Sequence, residues 1–96
     1  MSLPAPESAD EQPVGEILSV VERVIVAPAT GVFRRLDGHG GSRGDVIRRG
    51  DVIGALQSLG VSTQIQSPFE GVLAGLLVLE GERVRSGQPV AWMTVG

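Results

Sequence analysis

The chain has 96 residues and a formal net charge of −3, enough for one domain with a modest core but without the clustered basic surface that nucleic acid requires. It has no cysteine and no lysine, all eight basic residues being Arg, which removes disulfides, thiolate metal sites, thiol nucleophiles, amide-linked prosthetic groups and Schiff-base amines. Fourteen Gly and six Pro, set among Val, Leu, Ile and Ala, argue for short strands joined by tight turns rather than for long helices. No apolar run approaches a membrane span, and no basic stretch followed by an apolar core opens the chain. The expectation is therefore no membrane partner, no nucleic-acid partner and a cytoplasmic location.

Residues 1–13 are rich in Pro, Ser and acid and have too little apolar surface to offset ordering entropy, so they are expected to form a flexible tail, with the domain over 14–96. Val14 to Val20 reads either as a short leading strand or as a frayed approach to the domain. From Val21 the pattern is β. Val24-Ile25-Val26 ends at the turn signal Ala27-Pro28, and Gly31 to Leu36 follows as a second short strand. Asp37 to Gly44 is a Gly-rich loop, Val46-Ile47 leads into the turn Arg48-Arg49-Gly50-Asp51, and Val52 to Leu56 is a strand. Ser58-Leu59-Gly60-Val61 is a candidate hairpin tip, with Gly60 suited to the positive φ of a tight turn. Ser62 to Ser67 alternates, Ile65 facing in and Gln64 and Gln66 facing out, until Pro68 ends it. Val72 to Leu79 is expected as one further strand, and Val90 to Val95 closes the chain.

The strongest internal signal is a repeat. Ala27-Pro28-Ala29-Thr30-Gly31-Val32 matches Ser67-Pro68-Phe69-Glu70-Gly71-Val72. Gly44-Asp45 followed by Arg49-Gly50-Asp51 matches Gly81-Glu82 followed by Ser86-Gly87-Gln88, and Ile53 then matches Val90. The first half differs mainly by three extra residues in its Gly-rich loop. Two β units too small to bury an apolar face alone would pair about a pseudo-two-fold. The expected fold is all-β, a flattened barrel-sandwich of two pseudo-symmetric four-stranded units, with the hairpin around Gly60 at one end. A plain sandwich without duplication is the alternative.

The ordered set of these motifs resembles the biotinyl/lipoyl domain, and most closely the biotin carboxyl carrier proteins of acyl-CoA carboxylases. It comprises Ala27-Pro28 with Gly31 and Phe33, Gly44-Asp45 with Gly50-Asp51, a hairpin, Ser67-Pro68 with Gly71, and Gly81 with Val84, Gly87, Pro89 and Val90. The resemblance covers about Val21 to Val95. In that family the hairpin tip reads Glu-Ala-Met-Lys-Met, and the lysine carries biotin. The matching residues here are Gln57-Ser58-Leu59-Gly60-Val61, so Gly60 takes the attachment position, flanked by Leu59 and Val61. Lipoyl domains also need a lysine at this tip, so both cofactor roles fail together. Carriers of bacterial acetyl-CoA carboxylase also have a protruding thumb in the first half, and Asp37 to Arg43 resembles a shortened one.

Other candidates carry less. Ser58-Leu59 follows Gln57 in a strand pattern, whereas phosphopantetheine carriers place Asp before Ser on a helical bundle, so that group is not expected. His39 is the single histidine, and a loose metal site with Asp37 and Asp45 is weighed against a solvated loop histidine, which is the expectation because zinc usually takes three or four ligands. The loop from Gly38 to Gly44 lacks the lysine and following helix of a phosphate cradle. Asp45, Asp51, Glu80 and Glu82 sit beside turns, which accounts for them without an acid/base pair.

The expectation is thus a chain with no catalytic residue, no metal ligand and no cofactor. Its resemblance implies a carrier-like, non-biotinylated accessory or interaction subunit linked to an acyl-CoA carboxylase such as acetyl-CoA carboxylase of fatty acid biosynthesis. The alternatives are an independent protein-binding or assembly module that reuses the fold, and a cofactor-free relic. The run Val72 to Leu79 is apolar on both faces of a single strand, with Val72, Leu76 and Val78 on one side and Leu73, Leu77 and Leu79 on the other. Leu79, with Leu77, is expected to be exposed and to favour a protein partner or a homo-oligomer. The alternatives are a β-bulge that turns Leu77 inward and cover by Val14–Val20.

Overall fold

The computed structural model describes residues 21–36 and 41–95. Eight strands follow one another: β1 (Val21–Val26), β2 (Gly31–Arg34), β3 (Val46–Ile47), β4 (Val52–Ser58), β5 (Val61–Gln66), β6 (Gly71–Leu76), β7 (Arg83–Val84) and β8 (Pro89–Val95). They form two four-stranded sheets, ordered β1-β8-β6-β3 and β5-β4-β2-β7, and every pairing is antiparallel. Moving each strand of one half to its counterpart in the other converts the first order into the second. The expected all-β, duplicated architecture is present.

The two halves cannot be separated into two folded units. Each sheet takes strands from both halves. The turns are tied across as well. The amide of Gly50 donates to the carbonyl of Ser67 at 2.7 Å, and the amide of Ser67 donates to that of Asp51 at 2.8 Å. Their counterparts are Gly87 to Ala27 and Ala27 to Gln88, both at 2.8 Å. The amides of Gly44 and Gly81 donate in the same way to Leu73 and Phe33. A buried backbone group must find a partner, and here the partner is usually in the other half.

The core lies between the sheets and repeats the duplication. Ile25 and Ile65, Phe33 and Leu73, Ile47 and Val84, Ile53 and Val90, and Leu56 and Met93 are buried in matching pairs. Alternation in β5 is as expected, with Ile65 buried and Gln64 and Gln66 exposed. The paired glycines of the repeat have a steric reason. A Cβ on Gly31 would stand 2.8 Å from the carbonyl oxygen of Gln57, and one on Gly71 would overlap that of Thr94. Both positions therefore admit only a hydrogen where the neighbouring strand crosses close by.

The carboxylates that follow turns cap them. Asp45 accepts from the amide of Ser42 at 3.0 Å, Asp51 from Arg48 at 2.8 Å, and Glu82 from Leu79 at 2.9 Å. Gln88 does the same for Arg85 at 3.0 Å, so the fourth turn keeps the geometry without the charge.

Some element boundaries differ from expectation. The second strand stops at Arg34, and the fourth runs on to Ser58. The strand expected over Val72 to Leu79 ends at Leu76. Its face assignment is also corrected. Leu73 pairs with Met93 and is fully buried, but Gly75 pairs with Trp92, so a bulge at Ala74 shifts the parity. Val78 then turns into the core, while Leu77 and Leu79 remain 50 % and 76 % exposed. The bulge redirects Val78 rather than Leu77. The segment 1–13, the Val14–Val20 approach, and Asp37 and His39 with most of the shortened thumb lie outside the described residues.

Candidate functional site

Strands β4 and β5 pair from Val52 and Gln66 out to Ser58 and Val61, leaving a two-residue connection of Leu59 and Gly60. Both connecting residues have positive φ, 51° and 80°. This is the mark of a type I′ turn, whose twist matches that of the flanking strands. Gly60 accepts the conformation at no steric cost, and a Cβ there would meet nothing within 4 Å. Leu59 is different. It is the single non-glycine residue with positive φ among the described residues, and its side chain is fully exposed. A left-handed backbone costs an L-residue about 1–2 kcal/mol, so the ladder of β4 and β5 holds Leu59 in place and projects it into solvent. Val61 beside it is also exposed.

A recess of about 310 Å³ lies against this tip, between residues 57–62 and the side chains of Val32 and Arg34 on β2. Its polar wall is built by strand pairing. Val32 lies opposite Gln57 and Arg34 opposite Ala55, so Arg34 and Gln57 are diagonal neighbours on one face. Arg34 Nε donates to Gln57 Oε1 at 3.1 Å, and its Nη1 donates to Glu80 Oε2 at 3.1 Å. The amide of Arg35 donates to Glu80 Oε1 at 2.6 Å. That bond first, and the Arg34 side chain second, hold the Glu80 carboxyl below the usual glutamate range. Glu80, read from the sequence as a turn residue, thus clamps β2 and fixes Arg34 beside the hairpin. The signal for this cluster was the outward position of Arg34 and Gln57 on their strands, but only the pairing of β2 with β4 brings them together.

Of the tip residues named from the sequence, Leu59 and Gly60 form the turn and Val61 opens β5. Their chemistry is limited. Acylation by biotin or lipoate needs an amine, and Gly60 offers no side chain in a chain without lysine. The residues present do not fit either group. What the tip does offer is two exposed aliphatic side chains beside a hydrogen-bonded guanidinium.

A comparison with curated proteins gives no match. The family model for the biotin/lipoyl domain, described as biotin-requiring enzyme, matches residues 23–93. Domains of that family are not themselves catalysts and interact with partner enzymes. The match runs from β1 into β8 and spans both halves of the duplicated fold with its connecting hairpin, and on that ground the chain belongs to the biotin/lipoyl family.

Proposed function

We propose that the chain is a biotin carboxyl carrier-like protein that carries no biotin and acts as a non-catalytic accessory or interaction subunit of an acyl-CoA carboxylase in the cytoplasm. One observation carries the reading: the β4–β5 hairpin is complete, Leu59 at its tip is fully exposed, and Gly60 stands where the resemblance to the family would put the acceptor lysine. The two-residue turn imposes the left-handed backbone on whatever residue stands at position 59, and Gly, Asn or Asp would accept it most easily. A fully exposed leucine kept there instead fits use of the tip as a contact surface. Partner contact through the tip accounts for it.

Two measurements test the reading. Protein isolated from its native cells should have the intact mass of the unmodified polypeptide, and a mass increase matching biotin or lipoate would overturn it. Affinity capture from the same cells should recover carboxylase subunits, and Leu59→Asp should abolish that recovery while leaving the fold unchanged. Recovery of a defined complex without carboxylase subunits would favour the alternative, an independent assembly module.

Leu77 and Leu79 supply a second contact surface, which we assign to self-association. They lie in the bend after β6. Leu79→Glu should lower the weight-average mass at high concentration in sedimentation equilibrium. Because Leu79 is exposed, the change in stability should stay within about 0.5 kcal/mol. An unchanged mass with the fold intact would remove this surface from consideration.

A further inference from the structure

The two sheets match in backbone but not in what they show to solvent. Val24, Val26 and Val46 on the outer face of the β1-β8-β6-β3 sheet correspond to Gln64, Gln66 and Arg83 on the other, and Trp92 corresponds to Ala55. The strand pairing is equivalent at the first three pairs, so there the difference reflects surroundings, whereas Trp92 also faces the bulge at Ala74 that β2 lacks. Val24 and Val26 are each 49 % exposed and Val46 74 %. The Trp92 indole lies over Gly75, where a Cβ would stand 3.0 Å from Nε1. Cross-strand rows join Val46, Val72, Thr94 and Glu22, and then Gly75, Trp92 and Val24, so the face is apolar across its middle and carries one exposed carboxylate at its β1 edge.

The two sheets also differ in how the chain enters them. Strand β5, the edge of the polar-faced sheet, is entered through the two-residue turn at Leu59 and Gly60, so no free segment precedes it. Strand β1, the equivalent edge of the apolar-faced sheet, is preceded by 20 residues. Those nearest to it are Val14-Gly15-Glu16-Ile17-Leu18-Ser19-Val20, in which four of seven are branched aliphatics, whereas residues 1–13 are rich in Pro, Ser and acid. Neighbouring strands lie about 4.8 Å apart, so the face from β1 to β3 is crossed in roughly 14 Å. Seven extended residues reach roughly 23 Å. The chain also enters at Val21, opposite Val95, beside the row that holds Thr94, Val72 and Val46.

We propose that residues 14–20 fold back across the outer face of the β1-β8-β6-β3 sheet, setting one of Ile17 and Leu18, which alternate sides in an extended segment, against Trp92, Val24 and Val72. The occupant is this chain's own segment. The face that has such a segment next to it is apolar, and the face that lacks one is polar.

Trp92 is the single tryptophan and lies on the face in question, so its emission reports the cover directly. The full chain is compared with the full chain carrying Ile17→Asp and Leu18→Asp. The variant should show emission shifted to longer wavelength and stronger quenching by acrylamide, with an unchanged far-ultraviolet dichroism spectrum. In the unmodified full chain, nuclear Overhauser contacts should join the Trp92 indole protons to methyls of Ile17 or Leu18, which reads the same packing without any variant. Absence of those contacts, or equal quenching in both proteins, overturns the proposal. Shielding of Trp92 that grows with protein concentration overturns it too, because a second copy would then be the cover.

Discussion

Full chain carrying Leu59→Met, Gly60→Lys and Val61→Met should be labelled by a biotin ligase, while the unsubstituted chain is not labelled at all. The hairpin that presents the tip is already formed, with β4 and β5 paired up to Ser58 and Val61. The substitution at Gly60 adds the only lysine in the chain, so a single avidin-reactive product reports that position and no other. Space is available, since a Cβ at Gly60 meets nothing within 4 Å. The cost is conformational. Gly60 has φ of 80°, and a residue with a Cβ there loses about 1–2 kcal/mol. Leu59 already tolerates φ of 51°, so exchanging it for Met adds little. The expected result is a labelled protein with a slightly lowered melting temperature. A folded triple variant that stays unlabelled would show that the alignment of Gly60 with the acceptor position is wrong.

Phe33→Ala should cause the largest loss of stability of any single truncation. Phe33 is fully buried, and its ring lies over Gly54, where a Cβ would come within 2.7 Å of Cε1. Its strand is pinned on both sides, by β4 through the pair with Leu56 and by β7 through the neighbouring Val32. The backbone therefore cannot close over the space left behind. Truncation of a buried Phe costs about 3–5 kcal/mol when the site does not collapse. Small domains are stable by about 5–15 kcal/mol in total. With an m-value of about 1 kcal/mol/M in urea, the midpoint should fall by about 3 M or more. Its counterpart Leu73→Ala should cost about 2–5 kcal/mol, being smaller but equally buried. A loss below about 1 kcal/mol at Phe33 would mean that the core relaxes around it, against the rigid crossing described above.

Much of the architecture was legible in one dimension because it depends on local chemistry. Pro28 and Pro68 stop strands wherever they occur, Gly60 permits a positive φ, and Ile65 between Gln64 and Gln66 can bury only one side. The repeat was visible because both halves solve the same steric problem, as Gly31 and Gly71 do under a neighbouring carbonyl. Other features depend on pairs of residues far apart in the chain. The bulge at Ala74 arises from the register of β6 against β8, and so it was Leu73 and Val78, not one alternating face, that entered the core. The Arg34, Gln57 and Glu80 cluster needs β2 to meet β4 and the turn after β6 at once. The strain at Leu59 likewise arises from the hairpin ladder, since nothing in a leucine itself favours a left-handed backbone. Local rules act on neighbours in sequence, whereas register and cross-strand contact are set by which strands meet, and that is decided by burial over the whole fold.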